Sequence, residues 1–134
     1  ILGFSFKANT NDTRESSAIM ICKNLIDEGA EVVIYDPKVS YERIAEDLKT
    51  QKLEIEKDIY KEGSWSKADS IIEASKDSDA IIILTEWDEF KKINWEKIST
   101  IMRKPAWLFD TRNITNYQNA AENGLKIWLL GNGN

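Results

Sequence analysis

The sequence contains no histidine, one cysteine, two prolines and six glycines among 134 residues. Without imidazole the chain supplies neither a histidine general base nor a histidine metal ligand. The single thiol, Cys22, excludes an internal disulfide and agrees with a reducing compartment. No metal-ligand spacing occurs, and no apolar run approaches the roughly 20 residues that span a bilayer. There is no signal-peptide pattern, so a cytoplasmic location without membrane attachment is the expectation. Basic side chains are outnumbered, 18 Lys and Arg against 23 Asp and Glu, for a net charge of −5. That balance argues against general nucleic-acid binding but leaves room for a local cationic pocket that takes a small anion. Two phosphate-cradling signatures are also missing. No G-x-G-x-x-G follows the first apolar run and no Walker A sequence occurs, so a dinucleotide or triphosphate held in the usual glycine-rich turn is not expected.

What is present is ordinary for a globular domain: 42% hydrophobic and 31% charged residues, in a chain long enough for one real core. Residues 1–134 read as a single domain. Residues 1–6 read as a short apolar strand. A strand at residue 1 leaves no room for a chain start, which suggests a piece of a larger protein. Residues 16–27 read as a helix, with Ala18, Ile19, Cys22, Leu25 and Ile26 on one face. Asp12 and Glu15 stand at capping-box spacing before it, and Gly29 at the position of a C-cap glycine. Strands are then predicted at 31–35, 80–85, 106–109 and 125–130, and helices at 40–49, 67–75, 94–102 and 117–123. Residues 50–66 receive no firm assignment beyond a hint of a strand at 53–56. Uninterrupted Ala-Ile-Ile-Ile-Leu-Thr at 80–85 is what a strand covered on both faces should show. The alternation predicts an α/β, Rossmann-like three-layer domain: a mostly parallel sheet with helices on both faces.

In such folds ligands sit beyond the carboxyl ends of the strands. Lys7 leaves the first strand, and Arg14 stands where the next helix starts, where unpaired N–H groups favour an anion. Either these two cations and the helix start hold a phosphate, or Lys7 and Arg14 are simply solvated and Asp12 caps the helix. Arg112, in Asp110-Thr111-Arg112 after the strand at 106–109, could complete a diphosphate clamp with Lys7, or belong to an ordinary turn. The acids of Thr85-Glu86-Trp87-Asp88-Glu89-Phe90 could serve acid–base work. Capping a helix, with Trp87 and Phe90 packed on a neighbour, explains them better. Cys22 lies mid-helix on the apolar stripe, where a thiol is packing rather than a nucleophile. The five tryptophans read as core or interface filling.

Four segments together carry a resemblance. Phe6-Lys7-Ala8-Asn9-Thr10-Asn11-Asp12-Thr13-Arg14-Glu15-Ser16-Ser17 resembles the F-K-x-x-T-x-D-x-R-E-S-S segment of UDP-glucose 6-dehydrogenases. Tyr35-Asp36-Pro37-Lys38-Val39 is similar to their Y-D-P-K-V, residues 85–90 to their T-E-W-D-x-F, and Phe109-Asp110-Thr111-Arg112 to their F-D-G-R. The matches run in the family's order along nearly the whole chain. The resemblance implies the C-terminal, UDP-binding domain of an enzyme that oxidises UDP-glucose to UDP-glucuronate and reduces two NAD+. It implies that the catalytic cysteine and the NAD-binding domain lie in other parts of such an enzyme, so that this stretch has no catalytic residue and is inactive alone. Carried over by position, Phe6, Lys7 and Arg112 would contact the UDP-sugar, and Arg14 the NAD pyrophosphate. The N-terminal and central domains of the same chain would be partners, and the family's assemblies imply a homo-oligomer. Thr111 departs from the family's glycine. If that glycine serves a positive φ or a close approach, threonine impedes it. Other nucleotide-sugar dehydrogenases, acting on a UDP-N-acetyl sugar or GDP-mannose, and a non-catalytic α/β interaction domain are the alternatives.

Overall fold

The structure, a computed structural model, describes residues 1–49 and 63–131. Helix α1 (Ser17–Asp27) leads into strand β1 (Glu31–Ile34), helix α2 (Tyr41–Asp47) and strand β2 (Ser64–Lys67). Helix α3 (Ile71–Ser75), strand β3 (Ala80–Ile83), a 3-10 turn (Asp88–Lys92), helix α4 (Trp95–Ile101), strand β4 (Trp107–Asp110), helix α5 (Tyr117–Glu122) and strand β5 (Lys126–Leu129) follow. All strand pairs are parallel: β1 with β2, β3 with β4, and β4 with β5. Leu2 joins the two sheets through parallel bridges to Tyr35 and Ile83. The order across the molecule is thus β2, β1, Leu2, β3, β4, β5. With Leu2 counted as the first strand, this is the 3-2-1-4-5-6 order of the doubly wound dinucleotide folds.

Two cores sit on opposite faces. Val32, Ile34 and Ile82 join Ala18 and Cys22 of α1 and Ile44 of α2. Ile81, Ile83 and Leu108, of the opposite strand parity, join Ala74 of α3, Trp95 and Ile98 of α4, and Ala120 of α5. Right-handed crossovers produce this split when the chain winds outward from Leu2 in both directions. The predicted three-layer parallel architecture is therefore present. One consequence is a stretch beyond α1, on the face of α1 and α2, that no helix covers among the described residues. There Trp107 stacks on Phe109 at 5.6 Å, Phe109 meets Trp128 at 6.0 Å, and Lys126 lies over Trp107. These aromatics belong to neither core, whereas Trp87 and Trp95 are buried in one.

Several local expectations are corrected. The strand expected at 1–6 shrinks to Leu2, because Gly3, whose N–H still bonds to Tyr35 O, turns to φ 95 and takes the residues after it off the ladder. A Cβ there would stand 2.4 Å from the Thr85 Cβ, so only glycine passes. The Asp12–Glu15 capping box does not form. Glu15 itself is left-handed, at φ 62. Ser16 is the N-cap, its hydroxyl accepting from the Ala18 N–H, and α1 starts at Ser17. Ser40, Asn94 and Asn116 likewise cap helices that were expected to begin on or just after them. The helix expected at 67–75 is only Ile71–Ser75, capped by Ser70, and Lys67 instead ends β2. Ser-Trp-Ser-Lys carries no apolar run because β2, exposed and half-buried by turns, is an edge strand among the described residues. The hint of a strand at 53–56 lies outside the described residues. Gly29, at φ 89, ends α1 as expected: its N–H donates to Ile26 O and that of Ala30 to Leu25 O.

Candidate functional site

The carboxyl ends of β1, β3, β4 and the Leu2 segment carry the four motifs, and side chains from one loop hold the next. After Gly3 the backbone of Phe4 and Ser5 has no ladder partner. Buried backbone polar groups must be paired, and four side-chain contacts do so. The N–H groups of Phe4 and Ser5 donate to Asp36 Oδ2 at 2.8 and 3.0 Å. Their carbonyls accept from Ser16 Oγ and Thr85 Oγ1, each at 2.8 Å. Three motifs are thereby stitched into a break in the central strand.

Asp36, 3% exposed, is the hub. Its Oδ2 also accepts from Trp87 Nε1 at 3.2 Å, and its Oδ1 accepts from the N–H groups of Lys38 and Val39 at 2.9 and 3.1 Å. Asp110, fully buried, plays the same part in the fourth loop. Its Oδ1 accepts from the Arg112 N–H at 3.0 Å, and its Oδ2 from the N–H and hydroxyl of Thr115 and the Ile114 N–H. Thr111 imposes no strain. Among the described residues the non-glycine positions with positive φ are Asn9, Glu15, Asp77 and Asn113. The Thr111 hydroxyl donates to Ile83 O at 2.6 Å, docking the loop on the end of β3.

These anchors leave particular groups free. Phe6 is 45% exposed beside the exposed Lys7. Lys7 makes no ion pair or side-chain hydrogen bond among the described residues. Arg112 donates from Nε to Leu84 O at 3.1 Å, while its terminal nitrogens make no hydrogen bond among the described residues. Glu86 ties the two loops: Oε1 accepts from the Ala8 N–H at 3.2 Å and Oε2 lies 3.6 Å from Arg112 Nε. One carboxylate thus binds the backbone next to Lys7 and faces the guanidinium of Arg112, leaving a planar fork and an ammonium for an anion.

Arg14 faces elsewhere. It forms a paired contact with Asp12 (Nη2–Oδ2 2.7 Å, Nε–Oδ1 3.0 Å), and its hydrogen bonds hold the Asp12 carboxyl down at about 2. A polar groove of about 540 Å³ runs alongside, lined by Thr10–Arg14, Lys38, Ser40 and Arg43. Three cations against one carboxylate invert locally the acidic balance of the chain. Arg43 is braced by the Thr13 hydroxyl at 3.0 Å and by Asp47 at 3.4 Å.

The remaining candidates are structural. Cys22 is buried, and desolvation pushes its thiol up to about 11. Trp87 and Phe90 fill the core, and Glu89 accepts from the Tyr35 hydroxyl at 2.6 Å. Burial, then that bond, raises the phenol above its usual range. The sequence places Asp36 and Glu86 in loops after strands without assigning either a role in the site, and it gives Arg43 no part. For the first two the signal was available, since each carboxylate stands just past a strand end. Arg43 gave none, because only the packing of α2 brings it to the first loop.

A parallel α/β domain of this order, with cations gathered beyond its central strands, belongs to the class that binds nucleotide phosphates at a topological switch point. Comparison with known proteins narrows the class. The chain matches the UDP binding domain of the UDP-glucose/GDP-mannose dehydrogenase family over residues 1–117, and it belongs to that family. It is 41% identical to UDP-glucose 6-dehydrogenase 4 of Arabidopsis thaliana over 98% of this chain and 29% of the relative. It is 40% identical to UDP-glucose 6-dehydrogenase 1 of Glycine max, again over 98% of this chain and 29% of the relative. To the UDP-glucose 6-dehydrogenase of Drosophila melanogaster it is 39% identical, over 98% of this chain and 27% of that protein. The chain therefore spans under a third of the length of these relatives. Among the described residues no helix is long and apolar enough to cross a membrane.

Proposed function

We propose that this chain is the UDP-sugar-binding domain of a UDP-glucose 6-dehydrogenase, which oxidises UDP-glucose to UDP-glucuronate with two NAD+. The observation that carries the reading is that Glu86 joins the Lys7 and Arg112 loops, accepting from the Ala8 N–H and lying 3.6 Å from Arg112 Nε, where nucleotide phosphates bind in this fold. The names of the relatives favour UDP-glucose over a UDP-N-acetyl sugar or GDP-mannose. Lys7 and the Arg112 fork neutralise the diphosphate, and Phe6 packs beside the substrate with its exposed ring. The fold supplies no hydride chemistry here; NAD, when bound to the whole enzyme, accepts the hydride. Arg14 contacts the NAD pyrophosphate, a fit supported by its exposure (81%) and by the cation-lined groove beside it. The N-terminal and central domains of the same enzyme, which work in the cytoplasm as a homo-oligomer, carry the catalytic steps.

Steady-state kinetics of the full-length enzyme, with a panel of nucleotide sugars, test this. Lys7→Ala and Arg112→Ala each raise the KM for UDP-glucose at least about tenfold, since a charge-assisted hydrogen bond contributes about 1.5–3 kcal/mol. Arg14→Ala raises the KM for NAD+ instead. Unchanged UDP-glucose kinetics in both of the first two variants would sink the substrate site. An Arg14→Ala effect confined to UDP-glucose would sink the cofactor assignment. Better turnover of GDP-mannose or a UDP-N-acetyl sugar would replace the substrate.

A further inference from the structure

We infer that Glu86 is a positioning residue for the nucleotide-sugar site, setting the poses of Lys7 and Arg112 through one carboxylate. The inference rests on reading those two residues as substrate contacts. It starts from the peptide unit between Lys7 and Ala8. The carbonyl of that unit accepts from Ser5 Oγ at 2.8 Å and its N–H donates to Glu86 Oε1 at 3.2 Å. The plane is held at both ends, so the backbone from which the Lys7 side chain leaves has a set direction. The other oxygen, Glu86 Oε2, is buried and has no hydrogen-bond partner among the described residues. The side chain as a whole is 38% exposed, so this occluded oxygen carries a partial desolvation cost that a nearby cation offsets. The cation is Arg112, whose Nε stands 3.6 Å away. Nε is itself taken by Leu84 O at 3.1 Å, so Leu84 sets the angle of the guanidinium while Glu86 draws its charge toward the first loop. Held from the Nε side, Arg112 keeps its terminal nitrogens for a ligand. Such preorganisation lowers the ordering cost of binding. Glu86 lies just after β3 and Thr85, whose hydroxyl is bound to Ser5 O, so its own backbone is anchored next to both loops.

The side chain needs both its charge and its acceptor. Glu86→Gln keeps an oxygen for Ala8 and loses the pull on Arg112; Glu86→Ala loses both. In the full-length dehydrogenase, Glu86→Ala is expected to raise the KM for UDP-glucose about tenfold and Glu86→Gln about threefold, with kcat within about twofold and the KM for NAD+ unmoved. In an Arg112→Ala background Glu86→Gln is expected to add nothing, because its effect passes through Arg112. Should Glu86→Ala fail to fold, Glu86→Gln carries the test. If Arg112→Ala raises the KM while neither Glu86 variant does, the positioning role is refuted and the substrate site stands. If Arg112→Ala leaves the KM unchanged, this inference fails, and if Lys7→Ala leaves it unchanged as well, the substrate site fails with it. Equal rises in both Michaelis constants, or full additivity with Arg112→Ala, would show a merely structural role and overturn the inference.

Discussion

Replacing Asp36 by asparagine is the sharpest test of how the site is built. The carboxylate accepts five hydrogen bonds, three on Oδ2 and two on Oδ1. An asparagine has one carbonyl oxygen. Placed where Oδ2 was, it keeps Phe4, Ser5 and Trp87 but turns an NH2 toward the N–H groups of Lys38 and Val39. Placed the other way, it loses three bonds instead of two. Hydrogen bonds to a charged acceptor contribute about 1.5–3 kcal/mol each, so two lost bonds cost about 3 kcal/mol even in the better orientation. Against a typical stability of about 5–15 kcal/mol that is a large fraction. For a domain of 134 residues it corresponds to a fall in Tm of about 10 °C. Thermal melting of the 134-residue chain, followed by circular dichroism at pH 7, measures it. A parallel urea titration should show a lower midpoint at unchanged slope. An Asp36→Asn protein that melts within about 2 °C of the parent would refute the reasoning. It would mean that the break after Gly3 is held by its hydrophobic neighbours rather than by this carboxylate.

The remaining predictions concern the core and the same break. Cys22 should resist Ellman's reagent at pH 8 in the native protein and react at once in denaturant; rapid native labelling would contradict its burial. Its folded pKa of about 11 lies above the ordinary 9.0. The unfolded chain therefore loses the proton first, and stability should fall as pH rises from 9 toward 11; Cys22→Ala removes the thiol's share of that fall and leaves the share of the raised Tyr35 phenol. Gly3→Ala should destabilise by about 3 kcal/mol, combining the left-handed backbone cost with overpacking against Thr85. A variant as stable as the parent would show that the close approach to Thr85 relaxes freely.

The sequence by itself determined the alternation of elements, and with it the parallel three-layer class. Period-2 and period-3.6 apolar patterns are local, and burial follows from them. It also pointed to the loops in which to seek a site, since the rule that ligands lie beyond strand ends needs only the order of elements. Except at the start of α3, four residues late, helix ends were legible to within a residue or two, because Ser40, Asn94 and Asn116 cap by local hydrogen bonds. The sequence did not determine the edge strand Ser64–Lys67, whose alternation is shallow and polar. Nor did it show that residues 1–6 leave the sheet at Gly3, an outcome set by Thr85, some eighty residues away. The tertiary structure alone decided that Asp36 and Glu86 serve loops distant in sequence. A carboxylate's partners are chosen by which buried N–H groups lack an acceptor, and that is known only once the strands have been placed side by side. It also separated Arg14 from Lys7. Seven residues apart on one loop, they have different surroundings because different distant elements meet the two ends of the loop: Arg14 lines the groove with Lys38 and Arg43, while the peptide after Lys7 is bound by Glu86.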